Sequence, residues 1–363
     1  MKRICHVTSV HSPLDARIFY KECRSLANKY EVYLVAPNID DIIIDGVHIC
    51  GVRLSKNRKK RFINLGRVFK KMIEIDAELY HFHDPELMRI ASRIKRRGKI
   101  VIFDSHEDVP AQILDKPWIP KIFRRPLSWL YSLYEKRHFK YYDGLISVTP
   151  IIVERLKKIN KNTVQITNFP ILDTNEDNRK WRREICFIGS IRPHYMLDRI
   201  ISILDKLDAK LVLAGSSTSF LDMLKQQKNW SLVDYKGFVN HEDCMRLIQN
   251  CMIGICLGYY RPNAGFKKGT LGVLKLFEYM MAGIPVVAND YEIWKEIIDK
   301  NKCGICVNPN DDEAIYNAIK YLLDHPNIAQ EMGNNGRKAI INHYNWDSQE
   351  KKLFDLYSSL LIR

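Results

Sequence analysis

Short apolar runs of strand length alternate with segments of helical spacing along this chain, and the alternation starts afresh after one polar interruption. In the first half the runs cover residues 4–10, 32–36, 79–83, 100–104 and 145–148, with helix-like stretches such as 18–29 and 85–97 between them. In the second half they cover 185–188, 210–214, 231–235, 253–257, 285–288 and 304–307. Alternation of this kind predicts βαβ units, in which a buried parallel sheet carries helices on both faces. The polar run 173–183 has no apolar period and reads as the linker between two such units. A length of 363 residues suits two domains of moderate size. Open sheets of this type bind ligands beyond the carboxyl ends of their strands, so a cleft between the domains is the expected site.

The nine cysteines are odd in number and scattered through apolar runs, as reduced, packed thiols are. Cys303 and Cys306 form a C-x-x-C pair, but without a second pair and inside a strand-like run they read as packing rather than redox or zinc chemistry. No stretch is long and apolar enough to span a bilayer, and the start of the chain lacks a signal-peptide core, so a cytoplasmic location is expected.

The net charge of +15 is placed unevenly: residues 1–172 hold 32 Lys and Arg against 18 Asp and Glu, and the remainder is nearly balanced. A one-sided basic field implies an anionic partner surface, either nucleic acid or acidic lipid headgroups. Residues 116–142 mix Trp118, Phe123, Trp129, Tyr131 and Tyr134 with Lys121, Arg124, Arg125, Lys136 and Arg137, a combination that suits the headgroup layer of an anionic bilayer. Residues 53–61 add a second basic cluster. Leu127, Leu130 and Tyr134 keep helical spacing, and in the plainer reading this stripe is core with cations on the wet face.

The segment 267–287 carries the most chemistry. A Gly-containing loop leads into a helix expected over 273–281, stopped by Gly283 and followed by a strand entered through Pro285. Free amides at the helix start, around Leu271, Gly272, Val273 and Leu274, favour an anion. Glu278 lies within that helix among apolar residues, where a carboxylate needs a defined partner. A ribose diol, which can donate two hydrogen bonds to it, and a nearby lysine fit equally well.

The run Leu274-Lys-Leu-Phe-Glu-Tyr-Met-Met-Ala-Gly-Ile-Pro-Val-Val287 resembles the donor-binding motif of the group 1 retaining glycosyltransferases, glycosyltransferase family 4, of GT-B fold. The resemblance continues through Trp294-Lys-Glu296, Cys303-Gly-Ile and Asn308-Pro-Asn-Asp-Asp-Glu313, and upstream through Cys186-Phe-Ile-Gly189, Leu213-Ala-Gly215 and Tyr235-Lys-Gly-Phe238. In the first half it rests on Ser9-Val-His11, Asp15-Ala-Arg17, Lys21-Glu22, His81-Phe-His-Asp-Pro-Glu-Leu87 and Phe103-Asp-Ser-His-Glu107.

The resemblance implies two Rossmann-like doubly wound domains facing each other across a cleft, residues 1–172 and 173–346, with a final helix near 347–363 returning to the first. It implies a donor site built from Gly189, Phe238, Leu271, Gly272, Val273, Leu274, Lys275 and Glu278, with Glu278 on the nucleotide ribose and Lys275 on the diphosphate. It makes His106 the active-site histidine, with Glu278 also catalytic, and His11, Asp15, Arg17 and His83 are expected on the acceptor side; Asp15 with Arg17 reads equally well as a pair that only stabilises the first loop.

Two positions depart from the family pattern. The first glutamate of its E-x7-E motif falls at Thr270, and the basic residue and glycine usual after Gly189 are missing. Arg192, with Arg199 in reserve, is the expected substitute cation for the diphosphate.

A nucleotide-diphosphate sugar is thus the expected donor and a lipid-linked or polysaccharide glycan the expected acceptor, with transfer on the inner face of a membrane. No cofactor is expected beyond that donor and no metal, since His81 and His83 offer only two ligands on one strand face. A sugar-nucleotide epimerase of the same fold is the enzymatic alternative. A nucleic-acid-binding protein is suggested only by the basic half, which contains no recognisable binding module. A dehydrogenase is disfavoured because the turn 11–15 lacks G-x-G-x-x-G.

Overall fold

The computed structural model describes residues 1–55, 61–172 and 181–362. The basic cluster at 53–61 and the polar run at 173–183 lie mostly outside these residues. The chain divides into two compact units, one formed by Met1–Asn168 with Trp346–Arg363 and the other by Phe169–Asn345.

The first unit carries an eight-stranded sheet: β1 (Arg3–Val7), β2 (Glu31–Pro37), β3 (Ile42–Ile44), β4 (Val47–Val52), β5 (Leu79–Phe82), β6 (Ile100–Asp104), β7 (Gly144–Ser147) and β8 (Thr163–Gln165). The strand order is β3-β4-β2-β1-β5-β6-β7-β8, and every pairing except β3–β4 is parallel. Strand order reverses between β1 and β5, where crossovers depart to opposite sides and open a crevice at the carboxyl ends. Apolar side chains fill both faces: Val7, Val35, Phe82 and Phe103 on one, Ile4, Leu34, Leu79 and Ile102 on the other. Burial of both faces explains why these strands read as continuous apolar runs rather than alternating ones.

The first strand is shorter than expected and stops at Val7, leaving residues 8–11 as a loop. The expected helix over 18–29 is a π-helical turn (Ile18–Cys23) running into a short α-helix (Arg24–Ala27). The wider turn places Lys21 and Glu22 in the interior, where a regular amphipathic pattern would not put two successive charges. The final helix, Trp346–Leu361, buries Leu353, Leu356, Tyr357 and Leu360 against the Ile4 face of this sheet.

The second unit has a six-stranded, wholly parallel sheet: β9 (Arg182–Ile188), β10 (Lys210–Ala214), β11 (Val233–Tyr235), β12 (Cys251–Cys256), β13 (Val286–Asn289) and β14 (Gly304–Val307). Its order, β11-β10-β9-β12-β13-β14, reverses between β9 and β12. Apolar clusters again cover both faces. All nine cysteines are free, and burial pushes the Cys303 and Cys306 thiols up to about 12, which keeps them unreactive.

Candidate active site

In the second unit, Gly189 follows β9 at the switch point with φ 142°. The loop after β10 crosses so closely that a Cβ on Gly215 would meet the Gly189 carbonyl oxygen at 1.9 Å. Only glycine fits there, and both glycines are half-buried. Lys275 reaches this place from the first turn of the helix Leu274–Met281: a Cβ on Gly189 would sit 3.6 Å from its ammonium nitrogen.

The ammonium lies 3.6 Å from the ring centre of Tyr195 and 4.1 Å from that of Phe187. Two aromatic faces hold it, and among the described residues no carboxylate forms an ion pair with it. Burial lowers its pKa to about 8, outweighing the opposing pull of Cys256 and Glu278. Arg261 and Arg192 add positive charge nearby: burial first, then Arg261, Lys275 and Arg192, lower the His194 pKa to about 4. Three cations thus act on His194, one of them the buried Lys275 amine, and an anion placed there would be compensated by them.

Each expected donor residue can be located. Leu271 is buried, Gly272 is exposed, and Val273 and Leu274 are half-buried where the helix begins. That helix starts at Leu274, one residue later than expected, with Val273 as its N-cap. Thr270 Oγ1 accepts a hydrogen bond from the Gly272 amide (3.1 Å), so the hydroxyl at the departed glutamate position shapes the loop. Glu278 is half-buried, and its charge bears on both Lys275 and Cys244. Phe238 is 83 % exposed. Arg192 is exposed beyond β9, whereas Arg199 bonds the Pro309 carbonyl (2.9 Å) and Asp312 (3.2 Å). The reserve cation is therefore committed within the protein. Sequence reasoning missed Arg261 because it sits in an aperiodic loop with no motif around it.

In the first unit a cavity of about 190 Å³ opens at the carboxyl ends of the central strands, lined by His11, His83, Asp84, Asp104, His106 and Glu135 among others. Asp84 organises its rim: it accepts from the Ser9 amide (2.6 Å) and Thr8 Oγ1 (2.8 Å), and lies 2.8 Å from His11 Nδ1. Burial alone would raise the Asp84 carboxyl, but its hydrogen bonds and the His11 charge bring it down to about 2. Burial likewise opposes the His11 imidazolium, yet Asp84, Asp15 and Asp104 outweigh it and raise the pKa. His106 stacks edge-on against His11 with ring centres 5.2 Å apart, and its Nδ1 lies 3.8 Å from Asp104. Both imidazoles reach the same cavity.

Asp15 and Arg17 make contacts within the protein, in keeping with the loop-stabilising reading. Asp15 caps the π-helical turn, accepting from the amides of Arg17 (2.8 Å) and Ile18 (2.9 Å). Arg17 is buried, paired with Asp104 (2.7 Å) and Glu22 (3.1 Å), because the π turn draws it inward. His83 is buried as well and contributes to the cavity floor.

The aromatic–cationic element forms two helices, Val109–Asp115 and Lys121–Phe139. Its core stripe is the expected one only at Tyr134, which packs against the core. Leu127 and Leu130 are exposed, while Tyr131, Glu135 and Phe139 face inward and Glu135 pairs with Arg155 (2.5 Å). Among the described residues no helix is long and apolar enough to cross a membrane.

Residues 170–339 match the family model described as Glycosyl transferases group 1, and residues 15–168 match Glycosyltransferase Family 4. An uncharacterized glycosyltransferase of Methanocaldococcus jannaschii is 28% identical over 180 residues, which is 48% of this chain and 44% of that protein, so less than half of its length is spanned. The O-antigen chain mannosyltransferase C of Escherichia coli is 22% identical over 80% of this chain and 78% of its own. Among solved structures, sucrose-phosphate synthase from Thermosynechococcus elongatus superposes with a TM-score of 0.78 at 15% identity, over all of both chains, and this likeness speaks for the fold alone. With the two matches covering nearly the whole chain in order, and each falling on one α/β unit, the protein belongs to the group 1 glycosyltransferases, glycosyltransferase family 4, of GT-B fold.

Proposed function

We propose that this glycosyltransferase moves a hexosyl group from a nucleotide-diphosphate sugar to a lipid-linked or polysaccharide acceptor, with retention of anomeric configuration, in the making of a surface glycan. The observation that carries the reading is the Lys275 ammonium held between Tyr195 and Phe187 beside Gly189, with Arg261 and Arg192 close by. In this reading the diphosphate lies along the Gly189 loop and takes Lys275 as its counter-ion, while Glu278 accepts from the ribose hydroxyls. As the bond from the anomeric carbon to the diphosphate oxygen breaks, charge grows on the leaving group, and the fixed cations and helix-start amides stabilise it. The acceptor oxygen forms its bond from the same face and its proton passes to the departing diphosphate. His11 and His106 of the first unit are assigned to the acceptor. That the Escherichia coli relative is a mannosyltransferase of O-antigen chains supports a glycan acceptor.

A membrane-surface location is supported by Trp118, Ile122, Phe123, Trp129, Leu130 and Leu133, all exposed, together with Lys121, Arg125, Lys136 and Arg137 on the same helical element. Each basic group near an anionic surface adds about 1 kcal/mol, enough in sum for reversible docking.

A thermal-shift panel of uridine, guanosine and adenosine diphosphates and their sugars tests the donor site. One base should raise the melting temperature in the wild type and fail to do so in Lys275→Met. Transfer is then assayed with that donor and a membrane extract, where release of nucleoside diphosphate should depend on lipid acceptor. No shift with any nucleotide, or release indifferent to acceptor, overturns the proposal.

A further inference from the structure

Beneath the first-unit cavity lies a group of side chains that sugar transfer does not use. His6 projects from β1 and pairs in register with His81 on β5; His83 follows two residues on, and Glu22 enters from the π-helical turn. All four are fully buried. We propose that His6, His81, His83 and Glu22 hold one divalent transition-metal ion, zinc fitting best, as a structural centre under the cavity floor.

One donor atom from each residue lies within 4.8 Å of all the others. His6 Nδ1 is 3.0 Å from His83 Nε2, and Glu22 Oε2 is 3.8 Å from His6 Nδ1, 3.7 Å from His81 Nδ1 and 3.9 Å from His83 Nε2. Metal–ligand bonds of about 2.0–2.2 Å in a tetrahedron require donor separations of about 3.3–3.5 Å. The set spans up to 4.8 Å, so the side chains must draw in by as much as about 1 Å to reach that geometry.

The surroundings match those of a ligated site. The far nitrogen of His6, Nε2, lies 3.0 Å from Tyr357 Oη, and the far nitrogen of His83, Nδ1, lies 3.6 Å from Asp104 Oδ2. Such outer partners fix the tautomer that points a lone pair at the metal. Glu22 shares its carboxylate, with Oε1 beside Arg17 (3.1 Å) and Oε2 turned to the three imidazoles. Among the described residues neither oxygen has a hydrogen-bond donor of good geometry, and His81 Nε2 has no partner; His81 Nδ1 lies 2.8 Å from Tyr357 Oη, a contact it would exchange for the metal. Arg17 reaches only Oε1, so a cation beside Oε2 would complete the compensation of this buried carboxylate.

Three imidazoles and one carboxylate select zinc or a similar ion over magnesium or calcium, which prefer oxygen. Four protein ligands and no exposed edge make the centre closed and structural. Its effect is to tie β1, β5 and the π turn together, holding His83 and Asp104 where they line the cavity. The sequence alone showed only His81 and His83; folding supplies the other two ligands.

The test is metal content of the full chain by plasma mass spectrometry, followed by cobalt(II) titration after treatment with a strong chelator. The wild type should carry about one zinc per chain, and cobalt should give the intense visible absorption of a tetrahedral site. Chelation should lower its melting temperature by at least about 5 °C, and zinc should restore it. Glu22→Gln and His83→Gln, which keep size and hydrogen bonding, should lose the metal and the chelator response while retaining their circular dichroism. A metal-free wild type that gives no cobalt band and no zinc-dependent shift overturns the proposal, as does metal retained in both variants. Should the variants fail to fold, the wild-type content and cobalt spectrum decide the matter alone.

Discussion

Lys275 gives the sharpest test of the donor site because its burial sets a pH window. Its pKa falls from 10.5 to about 8 through desolvation. At about 1.4 kcal/mol per unit, protonated Lys275 is disfavoured in the free protein by about 3 kcal/mol relative to water. The unfolded chain binds more protons than the folded one between pH 8 and 10.5, so this lysine's contribution to stability is lowest below pH 8 and rises with pH through that window. Donor binding runs the other way. An intact nucleotide sugar keeps its diphosphate ionised throughout this range and needs the ammonium form, so binding above neutrality must take up a proton. For a free pKa near 8, the dissociation constant should rise about ten-fold from pH 7 to pH 9, with uptake of about half a proton at pH 8. Calorimetry in buffers of differing ionisation enthalpy measures both quantities. Lys275→Met should bind the donor at least about 100-fold more weakly, as expected for a lost charge-assisted contact, and without proton uptake. Affinity flat across pH 7–9, or a methionine variant that binds like the wild type, refutes the reasoning.

Further expectations follow from single contacts. Glu278→Ala should lower kcat/KM by about 10- to 100-fold, as loss of a hydrogen bond to a charged group does, with the fold kept; unchanged transfer would remove Glu278 from the donor site. Gly215→Ala places a methyl 1.9 Å from the Gly189 carbonyl oxygen and should destabilise the second unit by more than about 2 kcal/mol while weakening donor binding. Normal thermal stability would show that the loops can part. Replacing Trp118 and Trp129, which are 69% and 62% exposed, with serine should weaken binding to anionic liposomes at least about ten-fold at unchanged melting temperature. Trp346→Phe removes the bond from Nε1 to Ser25 Oγ (2.9 Å) that anchors the returning helix, and should cost about 1–2 kcal/mol by thermal or urea unfolding.

The parallel sheets were legible because strands buried on both faces leave dense apolar runs, as in Lys210–Ala214 and Ile100–Asp104. The β3–β4 hairpin carried a signal that the run-based reading passed over. Asp45-Gly46 joins the two strands with both residues at positive φ (51° and 77°), the geometry of a two-residue type I′ turn. The three-residue β8 is too short for any periodic signal. The π turn was illegible for another reason: nothing local in Ile18–Cys23 reports the extra residue, which depends on Arg17 and Glu22 finding Asp104 and the histidines far along the chain. Lys275 and Glu278 were found through a contiguous motif, whereas the cage around Lys275 joins Phe187, Tyr195 and Arg261 from separate segments. Asp15 and Arg17 stood correctly in the first loop, but their partners were not readable from spacing.

Both units concentrate their least favourable burials at the same topological place. At the β9 switch point a lysine is desolvated against aromatic faces. At the β1–β5 switch point three histidines, Glu22, Arg17 and Asp104 are enclosed together, with several of their polar atoms unmatched. Apolar residues of similar volume at these positions would make a more stable protein. Polar burial that lowers stability, confined to the strand ends where open sheets bind ligands, is what selection for function leaves behind. In the two proposals the sites differ in what would satisfy them: at Lys275 an anion that comes and goes, at His6 a cation that stays. One chain therefore makes opposite predictions for its two units, reversible stabilisation of the second by a nucleotide sugar and lasting stabilisation of the first by a metal, which differential labelling of the two units by hydrogen exchange can separate.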